Sequence, residues 1–549
     1  MPAALPLKAM SVLLVLVAPL PYWALGLPWC SGTHPKRIAL APLVGCALAG
    51  FYSELALIAG ISVRVTVALL TLASAALAWM RTRDARADLA DTARDWILVY
   101  LLSVIASALS PFPVLGNWAG DWYHLYDMGL HVMNGALPAE MLARPPLFGA
   151  ATVPLWLLAP GLIPYQMMSA VAAASAVLAM LYFVDCFWPK LPRWPLLLPL
   201  LMSPFFLNNT AAAWGKLLAG GLILAALAEA GQRREWASGA LFALSVAVHE
   251  ASIIWAPCLL AAYAPRWGGW RGVMRVVAAM AVTGLAINGP LLLWILVKYG
   301  LAAKVATSPA LTYRNQEPFA VKTLLVVVST LVGWGPVENL ARWLRNPQRF
   351  SRAVVAKESF WLVSSWFTTM AGTLVGLLFP FALCWRRLKD DQTLRQLLRP
   401  SVVVATGLAI VANAGLCGYY SSEGSLQTGM AALGLAAYGL CAGAVVAANP
   451  RGGRSLRQMS RLMAVLGTFP WAATNVLFCL GLWLSAAFRA RIQAGTENDY
   501  VVVVTEHLST LGMSAFPEVP AVAGLLLLGL IWYRRRGGTL VPDSQPDGR

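Results

Sequence analysis

The sequence predicts an all-α polytopic integral membrane protein, with about 13 transmembrane helices plus re-entrant or short helices. Hydrophobic residues make up 59% of the 549-residue chain and charged residues only 12%, about half the charged fraction of a soluble domain. Apolar runs of about 20 residues, long enough for a helix to cross a bilayer, recur along the chain. These runs lack the alternating pattern of barrel strands, so helices are the structure that satisfies their backbone polar groups in lipid.

The candidate spans follow these apolar runs. They cover 10–28, 38–59, 61–80, 96–116, 165–187, 195–208, 213–231, 273–297, 360–384, 401–420, 427–448, 462–486 and 519–533. Two further apolar stretches do not fit a single span, because 146–162 is short and 237–264 is long and interrupted by His249 and Glu250. We expect 146–162 to dip into the membrane and return, and 237–264 to form two short helices.

We attribute the net charge of +17 to the orientation of the chain in the membrane, and we expect no nucleic-acid partner. Lys and Arg cluster in short loops between spans, as the positive-inside rule expects of cytoplasmic loops. The basic segments assigned to the cytoplasm are 81–95, 232–236, 265–272, 385–399, 449–461 and the C-terminal tail. This assignment of loops to the two sides of the membrane predicts a multi-pass protein of a bacterial inner (cytoplasmic) membrane, with its polar outer loops facing the periplasm or exterior.

The same assignment of spans and loops divides the chain into four parts. They are an N-terminal three-helix addition (1–95), a transmembrane module (96–400) with outer loops 114–146 and 298–359, C-terminal transmembrane helices (401–536) and a disordered cytoplasmic tail (537–549). Within the N-terminal addition, we expect the ionisable residues Glu54 and Arg64 to pair with each other.

The densest polar cluster lies in the first outer loop, within 116–150. It carries two acids and two histidines three or four residues apart: Asp121, His124, Asp127 and His131. On an amphipathic helix beginning near Asp121, this spacing places them along one side. Asp121 is suited to cap the helix and Gly135 to end it. A capped helix with a solvated face and an active site are both open interpretations.

Metal binding is a weaker expectation for this cluster. Its spacing matches no fixed metal motif, so no metal ligand is assigned and no cofactor is certain. A divalent cation such as Mg²⁺ or Mn²⁺, shared by acids and histidines of the helix, stays an open alternative. The eight cysteines of the chain show no CxxC spacing, which indicates small buried side chains.

Arg144 follows this helix and precedes Pro145, Pro146 and an apolar stretch. The prolines favour an extended, rigid backbone, which places Arg144 at the level of the lipid headgroups. A guanidinium there can bind two phosphate oxygens at once. Anchoring at the membrane interface is the alternative for Arg144, and also for Lys216 at the start of a later span.

These motifs resemble a known family. A first outer loop with G-D-W-x-x-H, a short helix ending in N-G, and R-P-P-L-F before a half-span look like the GT-C superfamily of membrane glycosyltransferases. The most similar branch is that of the protein O-mannosyltransferases and lipid A aminoarabinose transferases. Asp121 matches the family's first acidic residue and Arg144 its lysine, whereas Trp122 stands where many members have a second acid. The resemblance continues more weakly to about residue 265.

The resemblance implies an inverting glycosyltransferase that uses a polyprenyl-phosphate-linked sugar donor in contact with membrane lipids. The acceptor, on the extracytoplasmic side, is a cell-envelope glycan, a lipid or a protein. Asp121 would take the proton of the acceptor hydroxyl, with His124 as a second catalytic residue. The expected substrate-binding residues are Asp127, Arg144, Asn208, Asn209, Lys216, His249, Glu250 and Arg314.

Two other functions stay open. An O-antigen ligase or polymerase would use a late outer loop, and the candidate segment 487–518 contains Arg489, Arg491, Glu506 and His507. A transporter or flippase of lipid-linked sugars would need a polar path through the membrane. The transporter alternative is weakened because the sequence shows no clear internal repeat, which many transporters have.

Overall fold

The computed structural model describes residues 13–30, 35–81, 86–109, 119–142, 144–186, 191–211, 214–263 and 269–307, and a few positions outside these ranges. Within these ranges the secondary structure is helical, with no strand. Arg314, the predicted ligase segment 487–518 and the tail 537–549 lie outside the described residues, as do the predicted spans from 360 onward except for a few of their positions.

The α-helices, in chain order, are α1 (Pro19–Cys30), α2 (Ala41–Ile58), α3 (Val63–Arg81), α4 (Arg86–Leu109), α5 (Ala119–Met133), α6 (Leu147–Ala150), α7 (Val153–Trp156), α8 (Leu162–Asp185), α9 (Arg193–Leu201), α10 (Pro204–Ala211), α11 (Lys216–Gly231), α12 (Glu235–Val248), α13 (Ala256–Tyr263) and α14 (Trp270–Thr307). Short 3₁₀ helices cover Pro35–Leu40, Ala139–Met141 and Glu250–Trp255.

Five helices among the described residues are long and apolar enough to cross a membrane. They are Leu13–Cys30, Arg37–Ile58, Val63–Arg81, Leu162–Asp185 and Trp270–Val305, and each coincides with a span predicted from the sequence. This fits the predicted class of helical membrane protein.

The burial of these helices indicates which of them face lipid. The apolar window of α8 is wholly buried, so α8 forms the centre of the described bundle. By contrast, α3 and α14 leave large apolar side chains outside, such as Leu72 at 67% and Val297 at 81% exposure. A soluble protein rarely exposes so much contiguous apolar surface, whereas lipid tails are suitable neighbours for it.

Two helices differ from the predicted spans. The predicted span 195–208 is divided into α9 and α10 at Ser203, whose hydroxyl donates to the carbonyl of Leu200 (2.6 Å) and accepts from the backbone N–H of Phe206 (3.2 Å). Ser203 thus caps α10. The sequence does not reveal this break, because the residues around Ser203 form a continuous apolar run. The helix expected over 96–116 is α4, and it begins earlier, at Arg86.

Two further expectations concern irregular segments. The stretch 237–264 breaks at His249, between α12 and the 3₁₀ helix Glu250–Trp255, and this confirms that it forms short helices. The outer loop expected to begin at 298 is still helical in its first ten residues, because α14 continues to Thr307. Gly300, at φ 78°, kinks α14 there, a conformation that glycine adopts without strain.

The helix termini form two separate ends of the bundle. At one end, Arg64 at the start of α3 donates to the side chain of Asn134 after α5 (2.8 Å), and Lys304 near the end of α14 donates to the carbonyl of Leu142 (2.7 Å). We call this the loop end. The expected pairing of Glu54 with Arg64 is wrong, because Arg64 binds Asn134 while Glu54 is buried in α2.

The opposite end is held by buried charge pairs. Glu229, near the end of α11, is fully buried and accepts a hydrogen bond from the hydroxyl of Tyr182 at 2.6 Å. Arg37 and Arg234 approach the same carboxylate at 3.2 and 3.3 Å. Since a buried carboxylate is tolerated only with such partners, this cluster ties α8, α11 and the start of α12 together.

A contact between glycines fixes the first-loop helix α5 on α6. A Cβ on Gly149 would lie 2.0 Å from the carbonyl oxygen of Leu125, and a Cβ on Gly129 would lie 2.5 Å from the carbonyl oxygen of Gly149. Any side chain at Gly149 would therefore collide with backbone, which cannot move aside as a side chain can. The helices that carry the two parts of the G-D-W…R-P-P-L-F motif are therefore packed directly on each other.

We predict that Gly149→Ala destabilises the protein by about 1–3 kcal/mol through overpacking. Gly284→Ala is the matched control, because a Cβ at this helical position meets nothing within 4 Å and alanine is the better helix former. Thermal unfolding of the detergent-purified proteins measures both. Equal melting temperatures for Gly149→Ala and wild type would contradict the close contact.

Candidate functional site

The backbone that leads into α6 carries Arg144. Arg144 is partly buried, and Leu147 and Phe148 after the two prolines are fully buried. Hydroxyls from two earlier helices bind the end of α6: Tyr22 donates to the carbonyl of Ala151 (3.0 Å) and Ser53 to that of Ala150 (3.3 Å). The Arg144 segment is therefore held between the N-terminal helices and α5.

Three distant segments meet at Gly215. A Cβ on this residue would lie 3.0 Å from Cγ1 of Val248 and 3.3 Å from Cγ of Phe148. Gly215 precedes Lys216, Val248 precedes His249, and Phe148 follows Arg144 by four positions. The sequence analysis assigned Arg144, Lys216 and His249 to substrate binding, and the fold brings them together at the loop end. We call these three residues the cationic cluster.

Lys216 is the buried cation of the cationic cluster. It is the first residue of α11 and only 1% exposed, so it does not extend to the surface as an interfacial anchor would. Its Nζ lies 3.4 Å from the centroid of the Trp214 ring, a cation–π contact that helps to hold the charge inside the protein. The helix dipole is also positive at this end of α11, which makes the site suited to an anion.

His249 lies at the junction of α12 and the next 3₁₀ helix, outside the five candidate spans. Burial, followed by the positive charges of Arg144 and Lys216, lowers the pKa of His249 to about 3. His249 is thus neutral at physiological pH. Among the described residues, its buried Nδ1 has no hydrogen-bond partner.

The last turn of α14 joins Glu250 to the first-loop segment. Lys304 Nζ lies 3.4 Å from Oε2 of Glu250 and donates to the carbonyl of Leu142, while the hydroxyl of Tyr299 donates to the carbonyl of Leu137. Lys304 and Tyr299 were not among the predicted site residues, because 298–359 was expected to be an outer loop. The one available signal was a basic residue soon after the end of an apolar span.

The acids and histidines of the first loop lie on α5. Asp121 occupies the first helical turn, two residues after Ala119, so it lies inside the described helix instead of flanking it; its side chain is outside the described residues. His124 is partly buried. Asp127 Oδ1 lies 3.9 Å from Nε2 of His131, and both side chains are about one-third exposed.

Gly135 ends α5 as expected. It has φ 78°, its N–H donates to the carbonyl of Val132 (2.9 Å) and the N–H of Ala136 donates to that of His131 (2.9 Å). This is the Schellman pattern, in which glycine adopts the left-handed conformation. The helix therefore stops where the chain must turn toward Arg144.

The remaining predicted substrate-binding residues are Asn208, Asn209 and Arg314. Asn209 is buried in α10, which packs against α4 and α8, and Ser107 of α4 donates to the carbonyl of the next residue, Thr210. The side chain of Asn208 and all of Arg314 are outside the described residues.

No group of three or more His, Cys, Asp or Glu side chains that could hold a metal ion is found in the part of the chain that the structure describes. The residues brought together at the cationic cluster are two cations and a histidine. This donor set is suited to an anion and unsuited to a divalent cation.

Comparison with known proteins identifies no relative. No protein family, curated protein or solved structure matches this chain. The function must therefore be argued from the site itself.

The lowered pKa of His249 predicts how stability changes with pH. The unfolded histidine binds a proton below pH of about 6.5, whereas the folded one stays neutral down to about 3. Acid therefore favours the unfolded state. When the pH falls from 6.5 to 4.5, we expect the free energy of unfolding to decrease by about 2 kcal/mol more in the wild type than in His249→Asn. Thermal unfolding across this pH range is the measurement, and His131→Asn is the control. Parallel curves for His249→Asn and wild type would contradict a neutral, partly buried His249.

Proposed function

We propose that this protein is an inverting membrane glycosyltransferase that takes a sugar from a polyprenyl-phosphate donor and transfers it to an acceptor on the extracytoplasmic side of a bacterial inner membrane. The observation that carries the proposal is the convergence of Arg144 and Lys216 on His249 at the loop end, where burial first, and then these two positive charges, lower the pKa of His249 to about 3. Two cations in a partly buried site are complementary to a phosphate group.

The position of the cationic cluster supports a lipid-linked donor. It lies at one end of a bundle whose helices α3 and α14 expose apolar faces suited to lipid. Lys304, near the end of α14, is paired with Glu250, the neighbour of His249. A phosphate at headgroup level can therefore reach the cluster while its prenyl chain stays in the bilayer.

The chemistry assigns separate roles to the acid and the cations. An acceptor hydroxyl oxygen attacks the anomeric carbon, and the bond from that carbon to the phosphate oxygen breaks with its electron pair. Asp121 accepts the hydroxyl proton. The phosphate changes from a monoanionic diester to a dianionic monoester, and Arg144 and Lys216 stabilise the charge that develops on it.

Two features connect the proposed base with the cationic cluster. Helix α5, which carries Asp121, is packed backbone to backbone on α6 through Gly129 and Gly149. Arg144 lies just before α6 in the chain, and Lys304 holds the intervening segment at Leu142. In this proposal the acid of α5 and the phosphate-binding cation act on the same bound sugar. Asp127 and His124 follow Asp121 on the same helix and are proposed to contact donor or acceptor.

The test is the release of polyprenyl phosphate from polyprenyl-phosphate sugars by the full-length protein in lipid nanodiscs. We expect Asp121→Asn to lower release at least about 100-fold, because the base is lost, and Arg144→Gln to lower it by about 100- to 1,000-fold. The matched control is Arg271→Gln, at an exposed position at the start of α14.

Two outcomes would contradict this proposal. If no donor yields polyprenyl phosphate while lipid-linked sugar crosses the membrane of reconstituted vesicles, the protein is a transporter. If His507→Ala abolishes transfer and Asp121→Asn does not, the late loop carries the chemistry, as an O-antigen ligase or polymerase requires.

A further inference from the structure

His249 is a neutral residue in a positive environment. Its backbone is extended, at φ −153° and ψ 110°, and its N–H donates to the carbonyl of Ser245 (2.9 Å). The backbone is therefore anchored to α12, and the contact of Val248 with Gly215 keeps it beside Lys216. The backbone that carries the imidazole is therefore fixed at the cationic cluster.

The elements that pack at the loop end carry several charged and titratable groups. They are Arg144 before α6, Lys216 on α11, Glu250 on the 3₁₀ helix, Lys298 and Lys304 on α14, Glu54 on α2, and Asp127 and His131 on α5. Glu250 is paired with Lys304, and Asp127 lies 3.9 Å from His131. Of this set, Arg144 and Lys216 are the charges that act on His249, and both act against a proton on it.

An anion in the cluster reverses this balance. A phosphate monoester with two negative charges would offset the charges of Arg144 and Lys216, and its oxygens are good acceptors for an imidazolium N–H. A diester with one negative charge would offset less of this positive charge. The state of His249 therefore depends on which form of phosphate is bound.

We propose that His249 takes up a proton when a phosphate monoester binds beside Arg144 and Lys216, and releases that proton when the monoester leaves. This inference rests on the proposed function, in which the monoester is the product that remains after sugar transfer. His249 then binds product more strongly than donor, and product release becomes faster as the pH rises.

The test uses sulfate, whose two charges do not change between pH 5 and pH 8, and dimethyl phosphate, which carries one. Isothermal titration calorimetry of the detergent-purified full chain, in two buffers of different ionisation enthalpy, counts the protons taken up. We expect sulfate binding to take up close to one proton near pH 5 and to be about tenfold tighter at pH 5 than at pH 7, for a bound-state pKa near 6. Dimethyl phosphate should show a smaller uptake.

The variants separate the two proposals. His249→Asn should lose both the proton uptake at pH 5 and the tightening of sulfate binding between pH 7 and pH 5, whereas His131→Asn should keep both. One result would overturn the role of His249 and leave the phosphate site intact: the wild type binds sulfate without taking up a proton, and Arg144→Gln weakens that binding. If the wild type binds neither sulfate nor inorganic phosphate, or if Arg144→Gln does not weaken that binding, the phosphate site itself is overturned.

Discussion

The arrangement of the loop end depends on the missing side chain at Gly215. The start of α11 lies between Phe148 and Val248 so closely that even one Cβ would be tight. This approach places Lys216 inside the protein, beside the segments that carry Arg144 and His249. The proximity of Lys216 to Arg144 and His249 follows from it, because charges of like sign are brought together only where packing holds them.

The opposite end of the bundle shows a contrasting use of charge. There the buried carboxylate of Glu229 is matched by Tyr182 and two arginines, which satisfies it completely within the protein. Arg193 similarly bridges Asp95 and Asp185. These pairs hold helices together. At the cationic cluster two positive charges act on His249, an arrangement complementary to an anion.

Some of this structure could be predicted from local sequence. An ionisable pair in an apolar stretch correctly predicted the break at His249, and glycine after a polar helix correctly predicted the end of α5. The convergence of Arg144, Lys216 and His249 on one face was expected from the positive-inside orientation of the loops and from the resemblance to a family. The division of 195–208 at Ser203 was missed, since a serine among apolar residues is ambiguous until its hydrogen bonds are known. Lys304 was missed because it binds Leu142 across 162 positions, a separation at which local patterns carry no information.

The most direct test of the account is a disulfide between Gly215→Cys and Val248→Cys in a cysteine-free background. A Cβ at Gly215 lies 3.0 Å from Val248 Cγ1, which is compatible with the Cβ separation of about 3.5–4.5 Å in disulfides. Mild oxidation in the native membrane should link the two sites, as detected by mass spectrometry of the digested protein. The pair Gly215→Cys with Val246→Cys, on a different side of α12, should not link. Failure of the first pair to link, or equal linking of both, would contradict the convergence on which the cationic cluster depends.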